Sequence, residues 1–172
     1  MLILILKILL GCLFSSILTT FLGWAIHWML HQHWSWVFHD AHMNHHQIQY
    51  PPTNFLSQDK YRDAGKDNTA YFFIGAFVPV IAGIVCLIVF HWISILVGLS
   101  MLLTMSGWGL LYNYLHDQFH IANSWCHRIP YFTKLRALHF IHHLDMNLNF
   151  GIVLFQWDKL FKTFENVTSK NK

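Results

Sequence analysis

An all-α integral membrane fold is predicted, with about three transmembrane helices and a histidine-rich helical cap. Three observations predict it. The 172 residues are 55% hydrophobic and only 11% charged, where a soluble domain carries about 25% charged residues. Two long apolar stretches flank one polar segment. Ten of the 14 histidines fall into two repeats of one pattern, HxxxH followed by HxxHH. The length suits one domain, 1–172.

The first stretch, residues 2–26, is nearly all apolar, with Lys7 its only charge. It exceeds the roughly 20 residues a span needs. It lacks a basic n-region and a clear cleavage site, and it runs directly into His27 and His31. A retained helix is therefore predicted rather than a cleaved signal peptide. Residues 32–49 are rich in Trp and His and are placed at the headgroup level. Tyr50-Pro51-Pro52 ends any helix there. Ser57 to Asn68 is the most polar stretch and reads as a solvated loop.

Residues 70–115 contain no Lys, Arg, Asp or Glu. That is twice a span, so two helices are predicted over 71–89 and 93–114, turning near Phe90-His91-Trp92. Pro79 is expected to kink the first of them. His91 then sits at the far turn as an interfacial residue. Beyond it, Pro130 separates the last two histidine boxes, and a polar tail from Glu165 is expected to fray. Apart from Lys7, every Lys and Arg lies in 60–66 or 128–172. Three spans put both segments on one side, which the positive-inside rule makes cytoplasmic. All four histidine boxes fall on that side.

The boxes are His27 and His31; His42, His45 and His46; His116 and His120; and His139, His142 and His143. Residues three and four apart share a helix face, so each box is expected to aim its imidazoles at one point. Neutral imidazole suits Zn, Fe, Cu and Ni. A closed structural zinc site takes four ligands, whereas ten give about five for each of two metals. His33, His39 and His127 lie outside the pattern and read as interface residues or outer donors. Asp117 and Asp145 are candidates to orient a ligand histidine, or to cap a helix or pair with Arg136. Asn113, one turn before His116, is a candidate to reach the site. The cysteines Cys12, Cys86 and Cys126 form no CxxC and read as small packing residues. The small positive charge and the absence of a basic, aromatic-interleaved patch exclude a nucleic-acid partner.

The box order, the apolar hairpin and the ending N-F-G-I-V-L-F-Q-W-D-K-L-F-K-T-F resemble the fatty acid hydroxylase superfamily. Its members are membrane di-iron enzymes that include sterol desaturases, fatty acid 2-hydroxylases and carotenoid hydroxylases. The resemblance covers most of the chain. It implies that His27, His31, His42, His45, His46, His116, His120, His139, His142 and His143 hold two irons. It further implies use of O2 and two electrons to hydroxylate or desaturate a C–H position of a lipid. No flavin- or haem-type segment is present, so a separate electron-transfer protein is expected as the donor. Lys162 departs from the family's usual Gly, and the two HxxxH boxes argue against a carotenoid substrate. The competing function is a non-enzymatic metal-binding or metal-transport membrane protein, which predicts polar ligands at mid-membrane depth. A haem carrier needs only two axial histidines per haem and leaves most of the ten unexplained. The lipid, the reacting carbon and the oligomeric state are not encoded in any of these patterns.

Overall fold

The structure is a computed structural model that describes residues 1–62 and 78–167. Among the described residues it is helical, with no strand and one isolated bridge between Ser57 and Ile121. The helices are α1 (Leu2–Leu30), α2 (Val37–Asn44), α3 (Val78–Phe90), α4 (Ile95–Phe119), α5 (Pro130–Leu144) and α6 (Gln156–Phe161).

Helices α1 and α4 are long and apolar enough to cross a membrane by length and composition. They pack on each other through small residues: Gly11, Ser15, Thr19 and Thr20 of α1 are buried. A Cβ added at Gly11 would stand 3.2 Å from Met101 Cγ. Without a hydrophobic drive between helices in lipid, such close approach supplies the packing. Three α1 hydroxyls bond back to their own helix, Ser16 Oγ donating to Cys12 O at 2.8 Å, Thr19 Oγ1 to Ser15 O at 2.7 Å and Thr20 Oγ1 to Ile17 O at 2.9 Å. Trp108 Nε1 donates across to Ser16 Oγ at 3.0 Å.

Helix α3 returns against α4, and glycines again set the distance. A Cβ at Gly83 would meet Leu102 Cδ1 at 2.8 Å, and one at Gly98 would meet Leu87 Cδ1 at 2.7 Å. The turn falls at 91–94, as expected; His91 and Trp92 are exposed there and Ser94 caps α4. Residues 71–77 of the predicted second span, and the segment preceding Pro79, lie outside the described residues. Helix α4 runs beyond the expected end at 114 to Phe119, carrying His116 within it and His120 at its cap.

The remaining elements form a cap at the far end of α1 and α4. Its core includes Phe119, Cys126, Phe132, Leu135, Leu138 and Phe155. Pro130 occupies the first turn of α5, where its missing N–H costs nothing. Two expectations are corrected here. Of the stretch expected as a solvated loop, Gln58 to Lys60 are exposed, but Ser57 is paired inward, its N–H donating to His120 O and its carbonyl accepting from Ala122 N, both at 2.8 Å; residues 63–68 lie outside the described residues. Nor does the chain fray at Glu165 itself, whose N–H donates to Asn149 Oδ1 at 2.9 Å while Asn149 Nδ2 donates to Glu165 O at 2.9 Å; the rest of the expected tail, 168–172, lies outside the described residues.

Candidate metal centre

Nine of the ten predicted ligands converge in two groups. His27, His31, His42, His46 and His142 form the first, and His45, His120, His139 and His143 the second. Within each group the candidate ligand atoms lie within 4.8 Å of one another. All nine are buried except His31, which is partly exposed. His116 is buried beside the second group, its ring 4.7 Å from that of His45 and 4.8 Å from that of His139.

The boxes do not each aim at one point. His42 and His46 join the first group while His45, between them, joins the second. The fourth box mirrors this: His139 and His143 join the second group and His142 the first. Adjacent helical residues diverge by about 100°, so the last two histidines of HxxHH cannot share a target. The backbone widens into a π-helix over His45–Gln49, at the second box, and such insertions are frequent at functional sites.

Backbone carbonyls fix the ring orientations. His27 Nδ1 donates to Phe150 O at 2.7 Å and His142 Nδ1 to Leu148 O at 2.6 Å. His120 Nδ1 donates to Phe55 O at 2.9 Å and His143 Nδ1 to Tyr50 O at 3.0 Å. A neutral ring with its proton on Nδ1 presents a bare lone pair at Nε2. The aspartates expected to do this do not. Asp117 Oδ1 is 3.9 Å from His116 Nδ1, beyond hydrogen-bond range. Asp145 Oδ1 instead accepts from Asn147 N at 3.0 Å. Arg136 donates to His127 Nε2 at 2.7 Å, and His39 Nδ1 donates to Leu30 O at 3.1 Å, so both histidines serve packing.

The donor set fits metal ions. Nε2 separations are 3.0 Å for His31–His142, 2.9 Å for His31–His42 and 3.2 Å for His42–His46. In the second group, His120 and His139 are 3.0 Å apart at Nε2. Metal–nitrogen bonds of about 2.1 Å at right angles place two nitrogens about 3.0 Å apart, the edge of a six-coordinate shell. His27 Nε2 and His143 Nε2 are buried with no hydrogen-bond partner, which a cation would supply. The rings are held neutral, as ligation requires. Burial, then His39, lowers His31 to about 3. Burial first, then neighbouring imidazoles, lowers His42, His45, His46, His120, His139, His142 and His143 well below the ordinary value.

Sequence reasoning missed Asp158 and Tyr61. Asp158 is fully buried and accepts four bonds. Its Oδ1 takes Phe150 N at 2.8 Å, Thr163 Oγ1 at 2.9 Å and Trp24 Nε1 at 3.2 Å; its Oδ2 takes Gly151 N at 2.9 Å. This buckle aims the Phe150 carbonyl at His27. The W-D of the terminal motif was the available signal. Tyr61 places its hydroxyl 3.0 Å from His45 Nδ1, and nothing in its sequence context marks it. Asn113, a candidate to reach the site, buries its Nδ2 with no hydrogen-bond partner among the described residues.

A family model for fatty acid hydroxylase matches residues 12–163. The chain belongs to the fatty acid hydroxylase family. No curated protein and no solved structure matches it. Family membership makes it an oxidoreductase of hydroxylase type, and the clustered histidines and apolar helices make it metal-binding and membrane-associated.

Proposed function

We propose that the protein is a multi-pass membrane di-iron oxidoreductase that hydroxylates or desaturates a C–H position of a lipid. The interleaved histidine groups carry the proposal. The first group takes the HxxxH pair of its half, the outer pair of that half's HxxHH and the middle histidine of the other half's; the second takes the counterparts of all of these except His116. By that symmetry His116 corresponds to His27 and becomes the fifth ligand of the second centre, beside which its ring already stands.

Bound iron supplies O2 activation for the overall change R–H + O2 + 2 electrons + 2 protons to R–OH + H2O. The chain's own residues do the rest. The carbonyls of Phe150, Leu148, Phe55 and Tyr50 hold the rings. Burial of the imidazoles excludes water, which favours oxidation of the positioned carbon over side reactions. His31, the one partly exposed member, marks the side from which substrate enters. Trp28, Trp34 and Trp36 are exposed nearby in the chain and suit an interfacial belt. Helix α3 belongs to the third span in this reading, and the positive-inside count puts the cap in the cytoplasm. A separate protein delivers the electrons.

The test is metal content of protein expressed with iron and purified in detergent. About two irons are expected per chain and about one in His142→Ala, because that residue serves one group only. A lipid screen under labelled O2 with a chemical reductant then reads oxygen in the product. One zinc, or no metal despite iron supply, refutes the proposal.

A further inference from the structure

The two centres are held by different parts of the chain. Two outer nitrogens of the first lean on Leu148 O and Phe150 O, and Asp158 anchors Phe150 through its N–H. Those of the second lean on one strap, residues 50–61: Tyr50 O receives His143, Phe55 O receives His120 and Tyr61 Oη meets His45. The Tyr50 ring also stacks on His120, with centroids 4.0 Å apart.

Arg62 ties this strap into a loop. Its Nη1 donates to Gln49 O, and its Nη2 donates to Leu56 O at 2.6 Å and to Asn54 Oδ1 at 2.8 Å. Its backbone N–H donates to Tyr50 Oη, and its guanidinium lies 5.0 Å over the Tyr50 ring. The planar fork thus ties the end of the segment, where Arg62 stands, to its start and middle, a geometry that lysine's point charge cannot reproduce. Its positive charge, this close to the second group, opposes a bound cation. Electrostatics alone therefore predicts that removing it tightens metal binding, and the pin predicts the reverse.

We infer that Arg62 is a positioning residue for the second centre, acting through the strap to hold His45, His120 and His143 in ligating orientation. The inference rests on the two-metal reading above. Loss of such outer support costs about 10- to 100-fold in metal affinity.

The experiment measures release of iron to a chelator from detergent-purified full-length protein. Arg62→Met is expected to speed release of one metal about 10- to 100-fold and leave the other at the wild-type rate. Arg62→Lys is expected to restore little. His31→Ala, which disables the first group, leaves only the second metal, so Arg62→Met in that background must show fast release alone. In His139→Ala, which leaves only the first metal, Arg62→Met must change nothing. Tyr61→Phe, which removes one oxygen, guards against misfolding and is expected to speed the same metal's release by a smaller factor. Unchanged or slower release in Arg62→Met overturns the inference. So does faster release of both metals in Tyr61→Phe, or no effect of Tyr61→Phe where Arg62→Met fails to fold. Wild-type protein holding fewer than two metals overturns the two-centre reading, and this inference with it.

Discussion

Acidification of the metal-free protein should unfold the cap within about one pH unit of neutral histidine's titration. Eight imidazoles outside the membrane-spanning helices have lowered pKa values: His31, His42, His45, His46, His120, His139, His142 and His143. Each binds its proton more weakly folded than unfolded. Its stabilising contribution is therefore present above the unfolded value of 6.5 and is lost as pH falls below it. At pH 5.5 each such group costs about 1.4 kcal/mol. Eight independent groups sum to about 11 kcal/mol, and half that sum already matches the roughly 5–15 kcal/mol by which a domain is stable. Bound metal opposes the loss, because protons must first displace it. The assay is near-ultraviolet circular dichroism of chelator-treated and iron-loaded protein in detergent, from pH 7.5 to 4.5. A transition between pH 6.5 and 5.5 is expected without metal and a lower one with it. Metal-free protein that keeps its cap at pH 5 refutes the claim that these rings are buried and neutral.

Two further outcomes test the terminal motif. Lys162 closes α6 in the left-handed region at φ 61°, where a Cβ costs about 1 kcal/mol relative to glycine. Lys162→Gly should raise the thermal midpoint by the equivalent of about 1 kcal/mol, and an unchanged midpoint refutes the strain. Asp158→Asn replaces one acceptor oxygen with a donor and strands a buried N–H such as that of Gly151, costing about 2–3 kcal/mol. It should lower the midpoint accordingly and speed loss of the first metal, through Phe150 and His27, before the second.

The apolar helices and the histidine boxes were legible because hydrophobic runs and i, i+4 spacing are local signals. The turn at His91 and the helix stop at Tyr50-Pro51-Pro52 follow from neighbours in sequence, and the repeated spacing marked out the nine histidines that converge. The exchange of His45 and His142 between groups was not legible, since it depends on how two helices face each other. Carbonyl orienters were hidden for a related reason. Every residue carries a carbonyl, so nothing distinguishes Leu148 or Phe55, whereas Asp117 and Asp145 drew attention by being ionisable. The strap at 50–62 has no periodicity to read, and the polarity from Ser57 onward suggested solvent where Ser57 and Arg62 are hydrogen-bonded inward.

The exchange of single histidines between the halves has a consequence for biogenesis. The first group lacks His142, and the second lacks His139 and His143, until the ribosome has passed α5. The N-terminal half presents only four of the first group's five imidazoles and one of the second's. Under the proposed function, both coordination shells are completed only once α5 has been made, so metal loading would come late, after the apolar helices α1, α3 and α4 have been synthesised.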